Sequence, residues 1–252
     1  MMRSYTKKTI IKYRNSSHKK VSDTVAVEKK LRIFLNGRET ISLYCTPALI
    51  KELVIGLLVT EGILNDTISP DKISIQSRMD ISARIDISED LITENSSISR
   101  HLGGFTFSVK KEFSKVEDTA SLPAQGLGMI FHAFHQKSEL FRLTGCFHSA
   151  ALSDGKKILA FAEDIGRHNA VDKVIGYAIL HNIAFTGKFL LVSCRISSEI
   201  ASKCARWKIP VIASIAAPTD IAIDIAESSG ITLIGFVRGE GMNIYSNPQR
   251  IT

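Results

Sequence analysis

The sequence predicts an α/β protein, a sandwich of helices on a mixed sheet with a small β-rich unit ahead of it. From Ser121 onward, apolar runs of strand length alternate with amphipathic stretches of helix length, the pattern of a layered α/β domain. Asp154-Gly155 between two apolar runs is a hairpin signal, so antiparallel strands join the parallel ones. Residues 31–88 hold four short strand-like runs and one helical run, which read as the small β-rich unit. Three parts are expected: a basic tail over 1–20, the small unit over 21–110 and the α/β domain over 111–252.

In chain order, Leu31–Leu35, Asn36-Gly37 and Glu39–Tyr44 form a β-hairpin on a two-residue turn. Thr46-Pro47 opens a helix, with Thr as cap and Pro at the first position, and Leu49, Leu53, Val54, Leu57 and Leu58 share its apolar face. Gly62 ends it. Residues 72–88 alternate as Ile-x-Ile twice and give two strands, and the polar, glycine-bearing stretch 92–108 is a loop. Leu127, Ile130, Phe131 and Phe134 mark the next helix, and strands Ser149–Leu152 and Lys157–Ala162 flank Asp154-Gly155. Helix 167–182, strand 189–193, helix 197–207, strand 210–214, helix 219–229 and strand 231–237 follow. Ile221, Ile223 and Ile225 alternate like a strand, but the start at Pro218-Thr219-Asp220 and the stop at Gly230 favour helix.

Of 252 residues, 44% are hydrophobic and 23% charged, the balance of a globular protein with room for a substantial core. Residues 1–30 hold nine Lys/Arg against Asp23 and Glu28, which accounts for the whole net charge of +7. The remaining 222 residues are balanced at 23 basic and 23 acidic groups, so the body is not expected to bind nucleic acid. The tail could touch RNA, a membrane or an acidic partner, but its plainest reading is a disordered, solvated extension. It lacks the apolar core of a secretory signal, and no run is long enough to span a membrane. Cys45, Cys146, Cys194 and Cys204 show no close pairing, which suits a reducing cytoplasm.

Polar clusters gather where strands end and helices begin, the place where α/β sheets bind ligands and helix N-termini favour anions. Three junctions stand out: Glu163-Asp164-Ile165-Gly166-Arg167-His168-Asn169, Ser193-Cys194-Arg195-Ile196-Ser197-Ser198-Glu199, and Ser214 through Pro218-Thr219-Asp220. Arg167 and Arg195 can grip phosphate in bidentate fashion, and His168 can donate or accept near neutral pH. In the first helix Ala170, Val171, Val174, Ile175, Ala178 and Ile179 form the apolar face; His168, Asn169, Asp172 and Lys173 lie on the other. Ser197 reads first as a helix cap, and Cys204 and Cys194 as packed core residues. No phosphate-binding G-x-x-x-x-G-K-[ST] loop, no G-x-S-x-G elbow and no H-x-E…P-C-x-x-C zinc-deaminase pattern occurs. His132 and His135 sit three apart on a helix but have no nearby third ligand, so no metal site is expected.

The stretches GLLVTEGIL (56–64), TGCFHSAAL (144–152), EDIGRHNAVDKVIG (163–176), SCRISSEIASKCARWKIPVIASIAAPTDIAI (193–223) and TLIGFVRGEGMNIYSNPQR (232–250) resemble the FdhD family, the formate dehydrogenase accessory sulfurtransferases. The resemblance implies a cytidine-deaminase-like three-layer α/β/α core without its zinc, in a cytoplasmic homodimer. It implies a cysteine desulfurase as sulfur donor and formate dehydrogenase as client. The cargo is the molybdenum cofactor with two pterin guanine dinucleotides, for which a guanine nucleotide is an analogue. By the same resemblance the guanine dinucleotide site lies near Phe236-Val237-Arg238-Gly239-Glu240-Gly241. With the junction residues Arg167, His168, Asn169, Ser193, Arg195, Ser197, Ser214 and Thr219, these are the candidate cofactor-binding residues.

One departure from the family stands out. Its sulfurtransferases carry a C-G-x-C pair in the loop between the two parts, and here that place reads Ser96-Ser97-Ile98-Ser99-Arg100-His101-Leu102-Gly103-Gly104. Both cysteines are replaced, near Ile98 and His101, so the catalytic residue is unassigned; Cys146, beside His148, is a candidate. Three readings follow: a sulfurtransferase with a relocated thiol, a cofactor-binding chaperone without sulfur chemistry, or an unrelated nucleotide enzyme or hydrolase on the same fold.

Overall fold

A computed structural model of the chain describes residues 2–64, 68–88, 91, 99–101, 104–106, 113–117 and 120–252. The basic tail is not the disordered extension expected. Strands β1 (Tyr5–Arg14) and β2 (Ser17–Ala26) pair antiparallel over ten residues each, turning at Asn15 and Ser16, both at positive φ. That geometry is the two-residue hairpin turn favoured by strand twist. Most of the hairpin is exposed, and its base from Thr24 to Ala26 is half-buried.

Next come β3 (Lys29–Leu35) and β4 (Arg38–Cys45), joined at Asn36-Gly37 as expected. With β5 (Ile73–Ser77) and β6 (Ile81–Ile85) they form a sheet in the order β4-β3-β6-β5. Leu31, Ile33 and Leu35 alternate with Arg32 and Phe34, so one face of β3 packs into the core. On the other face Arg32 pairs with Glu39, and the guanidinium groups of Arg32 and Arg84 lie over the Phe34 ring. The helix of this unit, α1 (Ile50–Thr60), begins later than expected. Leu49 precedes it in the left-handed region, and Thr46, expected as the cap, is instead fully buried against the larger domain. Part of the expected loop 92–108 is a short hairpin of β7 (Ser99–His101) and β8 (Gly104–Thr106). The residues at 92–98, among them Ile98, lie outside the described part.

The α/β domain contains α2 (Ala124–Lys137), α3 (Glu139–Thr144), β9 (His148–Ser153), β10 (Ile158–Asp164), α4 (Arg167–Leu180), β11 (Phe189–Val192), α5 (Ser198–Arg206), β12 (Val211–Ser214), α6 (Asp220–Ser228), β13 (Thr232–Arg238) and β14 (Gly241–Ser246). Its sheet runs β10-β9-β11-β12-β13-β14, with β11, β12 and β13 parallel and the others antiparallel to their neighbours. Alternation divides its two faces. Leu190, Val192, Ile212 and Leu233 pack under α4, α5 and α6, while Phe189, Leu191, Val211, Ala213 and Ile234 pack under α2. The result is the expected three-layer α/β/α core; α3 and β14 are additions to it.

Helix α1 is apolar nearly all round because it is covered twice, by its own sheet and by α4. Glycines set that helix crossing. A Cβ on Gly56 would stand 1.8 Å from the Asp172 carbonyl oxygen, and one on Gly176 would stand 1.9 Å from that of Glu52. Buried charges flank it. Lys203 Nζ reaches Asp172 Oδ1 at 2.7 Å, Glu61 Oε1 at 2.5 Å and Thr60 Oγ1 at 2.8 Å. Lys173 Nζ reaches Asp164 Oδ2 at 2.5 Å and donates to the Thr46 carbonyl. Asp172 and Lys173, assigned from sequence to the polar face of α4, are therefore both fully buried. A second helix takes the place of solvent there.

Candidate functional site

The three polar junctions converge at one end of the sheet, where backbone bonds tie the second to the third and to β9, and the His168–Glu199 contact joins the first to the second. Ser193 N–H donates to the Ser149 carbonyl, and Ser193 Oγ accepts from Ser149 N–H at 2.8 Å. Ile196 bridges Pro218: its N–H donates to the Ala217 carbonyl, and its own carbonyl accepts from Thr219 N–H. Phe236 N–H donates to the Ala216 carbonyl, which brings the end of β13 to the same rim.

On this frame the predicted residues divide by role. Arg195 is exposed at the carboxyl end of β11. Half-buried Arg167 opens α4, and its charge reaches His148, Cys194 and Glu199. His168 Nε2 stands 2.6 Å from Glu199 Oε2, and that hydrogen bond, opposed by burial, holds the carboxyl below its usual range. His168 is thus committed to a contact with Glu199 across α4 and α5. Asn169 donates to the Tyr44 carbonyl and to Asp164 Oδ1, a strut between the two units.

Two candidates do not fit a ligand contact. Ser214 is fully buried, its hydroxyl donating to the Cys194 carbonyl at 2.6 Å and accepting from Ala216 N–H. Val237 is buried in the core under α2. Thr219 caps α6 by accepting from Ala222 N–H. Ser197 occupies the cap position of α5 without bonding into it, and its Oγ is buried without a partner.

Phe236, Arg238, Gly239, Glu240 and Gly241 are exposed. Phe236 holds φ 55, a costly conformation for an aromatic residue, at a break in the β13–β14 register. Its ring stands outward, with 40% of the residue exposed. The Gly239 carbonyl presses on α2, where a Cβ at Gly128 would stand 2.2 Å away, so this turn is held against a helix.

Beside the rim lies a cavity of about 460 Å³. His135, Ser138, Phe141, Arg142, Cys146, His148, Ser193 and Ile215 contribute to its wall. Burial, then Arg167, pulls His148 below its ordinary value of 6.5; burial, then His132, does the same for His135. Arg142 Nη1 donates to the carbonyls of His135 and Gln136, which fixes its stem across the end of α2. Sequence reasoning misses Arg142 and the role of His135, because α3 has no signal of its own and the cavity forms only where the ends of α2 and α3 meet the start of β9. Among the described residues, no group of three metal-ligating side chains occurs, and no helix is long and apolar enough to cross a membrane.

The sequence profile described as the FdhD/NarQ family matches residues 26–252. A protein of Bacillus pumilus named Sulfur carrier protein FdhD is 34% identical, over 98% of this chain and 97% of its own. One of the same name from Sulfolobus acidocaldarius is 36% identical, over 95% and 94%. The crystal structure of a candidate formate dehydrogenase accessory protein from Desulfotalea psychrophila superposes with a TM-score of 0.80 at 25% identity, covering 99% of this chain and all of that one.

Proposed function

The chain belongs to the FdhD/NarQ family, and from that premise we propose that it is a formate dehydrogenase accessory protein that carries sulfur and binds the molybdenum cofactor, with its two pterin guanine dinucleotides, as cargo. The sulfur comes from a cysteine desulfurase, and the protein acts as a cytoplasmic homodimer. The observation that carries cargo binding is the exposed set Arg195, Phe236 and Arg238 at the carboxyl ends of β11 and β13. Guanidinium groups bind phosphate bidentately, helix N-termini add dipolar attraction, and an outward phenyl ring offers a guanine a stacking face. Arg167 supplies a further cation at the start of α4.

The test is calorimetry with GDP as the analogue. Replacing Arg195 by Ala should weaken binding by about 1.5–3 kcal/mol, the usual loss for hydrogen bonds to a charged group. Unchanged affinity in the Arg167→Ala, Arg195→Ala and Arg238→Ala proteins alike would refute this placement. A second reading, a cofactor-binding chaperone without sulfur transfer, is favoured by one observation: Ser96 through Gly104 hold neither of the family's paired cysteines. It predicts GDP binding without any restoration of formate dehydrogenase in cells lacking their own accessory protein.

A further inference from the structure

Carrying sulfane sulfur requires a thiol that another protein's persulfide can reach. The chain has four cysteines, and three are packed away. Cys45 and Cys204 are fully buried and Cys194 is 6% exposed. Burial pushes the Cys45 thiol up to about 12 and the Cys194 thiol to about 11, and it drives Cys204 further the same way. Cys146 alone is exposed. It follows the left-handed Gly145 that ends α3, and its side chain borders the 460 Å³ cavity together with His135, Arg142, His148 and Ser193. That volume is in the range of pockets that hold small ligands, roughly 300–1,000 Å³. The chamber also adjoins the rim where the cargo is placed, through Ser193 and Ile215.

Resting on the sulfur-carrier reading above, we propose that Cys146 is the sulfur-bearing residue of this chain and that the cavity around it is the transfer chamber. The Cys146 thiol passes its proton to the imidazole of His148, which is neutral near pH 7 because burial and Arg167 disfavour its cation. The thiolate then attacks the outer sulfur of a protein persulfide on the donor. The donor's S–S bond breaks, its electron pair leaves on the donor cysteine as a thiolate, and a new S–S bond forms on Cys146. The proton held by His148 neutralises that leaving thiolate. Sulfane sulfur keeps its oxidation state, so the step consumes neither oxidant nor reductant. Arg142, held at the wall by its bonds to the His135 and Gln136 carbonyls, gives the chamber a fixed cation that favours the anionic forms of both sulfurs.

The experiment incubates the full chain with a cysteine desulfurase and L-cysteine, then maps added sulfur by peptide mass spectrometry under non-reducing conditions. One sulfur on the peptide containing Cys146, with none on those of Cys45, Cys194 and Cys204, is the expected result. Cys146→Ser should take up no sulfur while keeping wild-type melting and GDP affinity. Alkylating the folded wild type should block the same cysteine and abolish uptake without any substitution. Sulfur on another cysteine, equal loading of Cys146→Ser, or no loading of a wild type that binds GDP would overturn the assignment. Loading on Cys146 in a protein that does not bind GDP would instead overturn the cargo-binding reading and leave this one standing.

Discussion

Replacing Lys203 by Met should destabilise the protein by about 3–5 kcal/mol, the range for removing one partner of a buried ion pair. Lys203 lies between two carboxylates at 2.7 and 2.5 Å, both buried or nearly so. At an effective dielectric of about 20 each contact attracts by roughly 6 kcal/mol, which offsets a desolvation cost of several kcal/mol per ion. The intact cluster therefore adds little net stability. Its loss is costly because Asp172 and Glu61 would then face each other without a cation. Burial draws the Lys203 ammonium down, yet Asp172 and Glu61 together outweigh it and hold it above its ordinary value. Denaturant unfolding monitored by the single Trp207, which follows α5 directly, reads the change. A melting shift of roughly 6–20 °C is expected, at about 2–4 °C per kcal/mol for a chain of this size.

The pH dependence gives an independent check. Burial already raises Glu61, against the pull of Lys203. A carboxyl raised on folding weakens the protein above its folded pKa, and that penalty vanishes below its unfolded value. Without Lys203 the penalty grows, so the deficit against wild type should be largest near pH 7–8 and narrow as the pH falls through about 6 to 4. Adding Asp172→Asn to Lys203→Met should recover part of the loss. A Lys203→Met protein within about 1 kcal/mol of wild type at pH 7.5, a cost no larger than an exposed pair would give, would refute the compensation argument.

Gly176→Ala should cost about 1–3 kcal/mol or more by forcing α4 from α1, since the added methyl meets backbone rather than a yielding side chain; equal midpoints in urea would contradict the close crossing. His148→Gln should gain stability relative to wild type as the pH falls below 6.5, because an imidazole held below its ordinary value on folding must give up its proton to fold in acid. Parallel pH–stability curves for the two proteins would show that His148 carries no such penalty.

Strand and helix periodicities are local properties, so most of the elements were legible from residue types alone. Alternation in Leu31–Leu35, the apolar face of α4, and Asn36-Gly37 with φ 48 and 78 all appear where short-range chemistry places them. The sequence also located three polar junctions at strand ends, because Arg, Ser and Thr beside an apolar run have few places in an α/β layer. It could not rank them. Asp172, Lys173 and His168 are as polar as Arg195, yet two are buried under α1 or beside it and one is paired with Glu199. Those assignments depend on tertiary contacts: Thr60 with Asp172 and Thr46 with Asp164, more than a hundred residues apart, and His168 with Glu199 on the next helix. The basic N-terminal strands, with charges on both faces, carry no period-two signal, and it takes cross-strand pairing together with contact between β2 and α3 to make them a hairpin. Cys146 was ambiguous for the same reason: a thiol's reactivity depends on its burial and neighbours, and only the packing of α2, α3 and β9 leaves this one open on a cavity while closing the other three in the core.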